Sequence, residues 1–177
     1  VMQRDFDQTT IEIGHLGPAR LTPDQYAIMI YNKLFGMDSM ASRLYSVIRT
    51  QMGLVYSIWG GLISNRDNGV YRVSLATRSE EALTATLRVV DLIKESMQVE
   101  PTAKEVFDAQ QSTAQSFIFR FASAKQLVTR RALLSLLGYP ANYDREYLDN
   151  IWQVTPAEVK QVAASRVYPE RLTIVMT

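Results

Sequence analysis

Polar and apolar residues alternate from Thr10 to Ile13 before Gly14, the two-residue period of a half-buried strand. The period then changes. Thr22-Pro23-Asp24-Gln25 has the layout of a capping box with proline at the first helical position. It predicts a helix whose apolar side is Tyr26, Ile28, Met29, Ile30, Leu34 and Phe35, ending at Gly36. A second helix is expected from about Ser39 to Gln51, with Leu44, Val47 and Ile48 on one stripe and a break at Met52-Gly53. Val55 to Ser64 and Gly69 to Thr77 read as strands, and the polar run Asn65-Arg66-Asp67-Asn68-Gly69 between them reads as a hairpin turn.

Helical spacing dominates the remainder. Ser79 to Met97 carries Leu83, Thr86, Leu87, Val90, Ile93 and Met97 at three- and four-residue steps, with Ser79 as the expected cap. Thr102-Ala103-Lys104-Glu105 and Thr155-Pro156-Ala157-Glu158 are two further capping boxes, opening helices toward Phe119 and Arg166. Between them, helices are expected over Ser123 to Leu137 and Tyr143 to Ile151, separated by Gly138-Tyr139-Pro140. Leu172 to Met176 closes the chain as a short strand. This order predicts an α+β two-layer sandwich: a mostly antiparallel sheet with helices packed on one face. Residues 1–177 are expected to form a single domain, since no Pro-, Gly- or Ser-rich linker or repeat divides them.

Composition narrows the function classes. The 177 residues include 19 basic and 18 acidic side chains, a net charge of +1, and these are mixed along the chain. No basic stripe for nucleic acid is present. No apolar run approaches the roughly 18 residues that cross a membrane, and Val1-Met2-Gln3-Arg4-Asp5 lacks a signal-peptide core. A chain that starts with valine is expected to be a processed form or a segment of a longer protein. With no cysteine, thiol catalysis, Cys-ligated zinc and disulfides are excluded. His15 is the only histidine and is expected on a loop in a structural or surface role; one His without Cys cannot build a zinc site alone, and it has no Gly-x-Ser-x-Gly companion for a triad. Gly60-Gly61, inside a strand, reads first as a bulge and second as a close approach by an extended peptide. Phe117, Phe119 and Phe121 read as core packing, and Glu80-Glu81 as first-turn acids favoured by the helix dipole.

Arg49 and Tyr56 flank the Gly53 turn, at the end of a helix and the start of a strand. On chemistry alone two readings stand. Arg49 complements its helix terminus while Tyr56 is a rim aromatic, or both donate hydrogen bonds to a carbonyl or carboxylate.

The segment Asn32-Lys33-Leu34-Phe35-Gly36 with Ser42-Arg43-Leu44, followed by Arg49 and Gly53-Leu54-Val55-Tyr56, resembles the pitrilysin/insulinase family of zinc metallopeptidases, which includes the mitochondrial processing peptidases. Met37 departs from the pattern, standing where that family commonly has a second glycine. Ile13-Gly14-His15, Pro23 to Tyr26, Gly138-Tyr139-Pro140, Val154 to Val159 and Leu172 to Val175 continue the resemblance in order. It implies the C-terminal, non-zinc half of a clamshell endopeptidase, not expected to be active alone. Zinc would sit on a partner half bearing His-x-x-Glu-His, in the same polypeptide or a separate subunit, and this chain would hold no metal. The resemblance further implies that Arg49 and Tyr56 support the substrate and its oxyanion, with Gly53 and Leu54 beside the bound peptide. It leaves homo- or heterodimers open, and a non-catalytic structural subunit as the alternative. A peptide-binding module of unrelated ancestry would require the motif matches to be coincidence. A bacterial periplasm or cytoplasm is expected, the periplasm ahead.

Overall fold

The computed structural model describes residues 7–38 and 40–177. Its four strands are β1 (Gln8–Gly17), β2 (Val55–Ser64), β3 (Gly69–Arg78) and β4 (Thr173–Met176). They form one antiparallel sheet in the order β2-β3-β1-β4, so the last strand returns beside the first. Alternation sorts the two faces. Ile11, Ile13, Ile58, Leu62, Tyr71, Val73 and Leu75 are buried on the helical side. On the other face Arg72 grips Glu12 through two 2.7 Å hydrogen bonds and lies 5.1 Å from the Trp59 ring centre.

The helices α1 (Gln25–Asn32), α2 (Ala82–Gln98), α3 (Ala103–Phe117), α4 (Ala124–Leu136), α5 (Tyr143–Gln153) and α6 (Pro156–Arg166) form the second layer. The α+β sandwich expected from the pattern is thus the observed architecture. Both later capping boxes form, with Thr102 and Thr155 accepting from the N–H of Glu105 and Glu158. Gly138 follows α4 at φ +80°, the conformation that lets the chain turn toward α5.

Several local expectations change. The Thr22 box does not form. Gln25 N–H bonds Thr22 O at 3.1 Å, and Asp24, next to the helix start, gives its carboxylate to Arg166 at 2.8 and 3.1 Å. Gly36 does not end the first helix: the chain continues as a π-helical turn over Lys33–Met37. The second helix also widens into a π-helix over Tyr45–Gln51, and its expected start at Ser39 lies outside the described residues. The stripe of α2 is rotated. Thr86 and Ile93 are buried as expected, together with Ala85, Val89 and Leu92, whereas Leu83 and Leu87 are exposed. Ser79 opens a 3₁₀ turn ahead of α2 and meets the Thr9 hydroxyl at 2.9 Å, with Glu81 at the cap position. Of the three phenylalanines, Phe117 is buried and Phe121 packs against the core, but Phe119 faces solvent.

His15 lies inside β1, opposite Tyr71, and not on a loop. Its Nε2 accepts the Tyr168 N–H at 3.0 Å, its Nδ1 lies 2.7 Å from Leu16 O, and its ring stacks on Tyr71. That set of partners describes a structural histidine. Gly60 and Gly61 stay in regular register with Val73 and Arg72, so neither is a bulge. A Cβ on Gly36 would come within 2.5 Å of Gly60 O, and one on Gly61 within 2.5 Å of Asn32 Oδ1. At these glycines the neighbour is the chain's own α1 and π turn, which occupy the place considered for an extended peptide.

The Asp24–Arg166 pair joins the start of α1 to the end of α6. Burial acts to raise the Asp24 carboxyl, but Arg166 and the Thr22 hydroxyl outweigh it and hold its pKa below the ordinary 3.8. A depressed folded pKa stabilises the fold above the unfolded value, and that contribution is lost as pH falls through the folded one. Asp24→Asn should therefore cost about 1 kcal/mol near neutrality and much less under acid conditions. Urea midpoints from pH 7 down to 3 should converge for wild type and variant.

Candidate functional site

The candidate site is built around the turn from the second π-helix into β2. Ser42-Arg43-Leu44 serves as its anchor. Ser42 is buried and its oxygens accept the N–H groups of Tyr45 and Ser46, while Leu44 is fully buried. Arg43 reaches α3 and pairs with Glu105 at 3.1 Å. Partial burial would raise the Glu105 carboxyl, but Thr102 and Arg43 together hold it below the usual glutamate value. This motif fixes the π-helix against the helical layer.

From that base Arg49 projects into solvent. It lies 4.8 Å from the centre of the Tyr45 ring and donates to the Tyr45 hydroxyl one turn back. Ring stacking limits the guanidinium's rotation yet leaves most of its donors unused. The sequence marks Tyr45 only by its position four residues before Arg49, facing it across one helical turn.

The π-helix ends through bonds from Met52, Gly53 and Leu54 N–H to Val47, Arg49 and Ile48 carbonyls at 3.1, 3.2 and 3.1 Å. Gly53 has φ +64° and open space where a Cβ would stand, so backbone conformation alone calls for glycine there. Leu54 is half-buried, and its carbonyl accepts the Thr77 hydroxyl at 2.5 Å.

The bulge in β2 falls at Tyr56. Val55 pairs with Thr77 and Ser57 with Ala76, leaving Tyr56 as the extra residue. A bulge re-aims a side chain that regular pleating would fix. Tyr56 is 55% exposed and borders a hollow of about 390 Å³ with Asp7, Arg78, Ser79 and Glu80. Among the described residues no hydrogen bond or cation–π contact joins Arg49 to Tyr56; Arg49 leans on Tyr45, while Tyr56 borders the hollow beside Arg78. Both are solvent-facing donors on either side of one glycine turn.

No group of three or more His, Cys, Asp or Glu side chains is arranged to hold a metal among the described residues. No helix there is long and apolar enough to cross a membrane.

The sheet order and helical layer are those of a metallopeptidase inactive domain, and among the described residues no zinc-ligand cluster is present. The family model described as the peptidase M16 inactive domain matches residues 1–113, and the chain belongs to that family. A peptidase M16 inactive domain from Pseudomonas fluorescens is 26% identical, with a TM-score of 0.88 over 96% of this chain and 40% of that one. A Helicobacter pylori protease, at 19% identity, shares the fold with a TM-score of 0.85, over 99% of this chain and 42% of the other. A Mycobacterium tuberculosis protein described as an uncharacterized zinc protease is 26% identical over 164 residues, 92% of this chain and 37% of the relative. The chain thus spans roughly two fifths of the length of these relatives.

Proposed function

We propose that this chain is the non-zinc half of a zinc metalloendopeptidase, completing the peptide chamber and presenting Arg49 and Tyr56 to the substrate. The observation that carries this reading is the pair of solvent-facing donors about the Gly53 turn, one braced on an aromatic ring and the other turned out by a bulge. Neither geometry serves the core. The zinc, its bound water and the general base would belong to a partner half with His-x-x-Glu-His, within the same polypeptide or on a separate subunit. Attack of that water on a peptide carbonyl creates an oxyanion, and a fixed guanidinium and a neutral phenol are suited to hydrogen-bond it. Gly53 and Leu54 would lie beside the peptide. The periplasm is the proposed compartment, as the absence of cysteine permits.

The isolated chain, supplied with zinc and a peptide, is expected to give no cleavage, and combination with a zinc-bearing half is expected to restore it. Metal-dependent turnover by the chain alone would contradict the proposal. If the combined halves cleave equally well with both donors removed, the second reading, a non-catalytic structural subunit, takes its place. The tight anchoring by Ser42, Arg43 and Leu44 is the observation in favour of that reading.

A further inference from the structure

Two hollows adjoin along α1, and their linings share one electrostatic character. The first, about 250 Å³, lies at the helix start and is bordered by Arg20, Gln25 and Ser64. The second, about 300 Å³, lies at its end and is bordered by Lys33, Ser116 and Arg120. Met29 and Asn32 line both, so the two hollows share a wall along α1, and we treat them as one groove. The lining side chains include three cations and no carboxylate, although the chain as a whole is nearly neutral.

The cations differ in what already satisfies them. Lys33 is paired with Asp38 at 3.2 Å. Arg20 and Arg120 have no carboxylate within salt-bridge distance among the described residues. Each is held in place by neutral groups. Arg20 donates to Ser64 O at 3.0 Å and lies 5.9 Å from the Tyr139 ring centre. Arg120 stands 5.4 and 5.0 Å from the Phe117 and Tyr147 ring centres and reaches the Tyr147 hydroxyl at 3.5 Å. A guanidinium on an aromatic face is oriented before any anion arrives, so less freedom is lost on binding. Buried Ile28 and Leu62 form apolar ground at one end, and next to Arg20 the backbone of Leu21 takes the strained φ of +63°. The eight-residue α1 is about 12 Å long, the reach of about four extended residues.

We propose that this groove binds an extended acidic peptide segment, with one carboxylate against Arg20, a second against Arg120 and an apolar side chain over Met29. The proposal does not depend on Arg49 or Tyr56, and the two readings fail separately: the test below measures binding without hydrolysis.

The test titrates the full 177-residue chain into a fluorescently labelled peptide carrying two glutamates about four residues apart, and into its glutamine counterpart, reading anisotropy. The acidic peptide should bind at least about 10-fold more tightly, and Arg20→Gln and Arg120→Gln should each weaken it about 10-fold. Arg171→Gln removes a charge elsewhere and should have no effect; circular dichroism melts establish that every variant is folded. Arg120→Lys, which keeps the charge without the planar fork, should recover part of the affinity. Equal binding of the glutamine peptide, an equal loss in Arg171→Gln, or no binding by the folded wild type would overturn the proposal.

Discussion

Arg49→Ala, in the chain combined with a zinc-bearing half, is expected to lower kcat about 100- to 1000-fold, the usual effect of deleting one oxyanion donor. Stability should not follow. Arg49 is exposed, and its recorded partner is the neighbouring Tyr45, so the variant should melt within about 2 °C of wild type, as surface changes usually do. Arg49→Lys keeps the charge but loses the planar fork, and partial recovery is expected. Tyr45→Phe separates ring from hydroxyl: the stacked face remains, the bond to Arg49 is lost, and a smaller drop in kcat should result. A loss in Arg49→Ala that appears only as a higher KM would assign Arg49 to uniform substrate binding instead.

Asn32→Ala should produce the largest structural effect. The Asn32 amide acts as an extra strand on the β2 edge, donating to Leu62 O at 2.8 Å and accepting from Leu62 N–H at 2.7 Å. Both bonds are buried. Removing the amide leaves two backbone groups without partners and α1 without its tie to the sheet. A cost of about 3 kcal/mol is expected, which for a domain of this size lowers Tm by about 9 °C. Thermal melts followed by circular dichroism measure it. Because Asn32 also walls the α1 groove, the melt must be compared with acidic-peptide binding at a temperature where the variant is folded.

What was legible in the chain were features set by neighbouring residues. The capping boxes at Thr102 and Thr155, the hairpin from β2 to β3 and the glycine stop at Gly138 all depend on short spans, and all form. The Thr22 box does not form: the helix starts at Gln25 with Asp24 at the cap position, the Thr22 hydroxyl bonds Asp24, and Arg166, 142 residues away in sequence, takes the same carboxylate. Hydrophobicity alone likewise misplaced part of the α2 stripe: Thr86 and Ile93 are buried as expected, but Ala85 and Val89 are buried while Leu83 and Leu87 face solvent. The two π-helical turns have no reliable signature in residue order, yet one carries Arg49.

The site was half legible. Arg49, Gly53 and Tyr56 stood out through the resemblance, and the positive φ at Gly53 gives that glycine a physical reason. The bulge expected at Gly60-Gly61 occurs at Tyr56 instead; the two glycines keep register and are approached closely by Gly36 and Asn32. Glycines in a strand announce a close approach without saying by what. Here the visitor was the chain's own first helix.

If this half contributes donors to a reaction whose metal lies elsewhere, deleting the Tyr56 hydroxyl removes one of them. Tyr56→Phe leaves the exposed ring and the β2 bulge in place. In the combined enzyme, kcat for a defined peptide should fall on the order of 100-fold, with KM and Tm unchanged. A kcat equal to that of wild type would contradict the account and leave this domain as a scaffold.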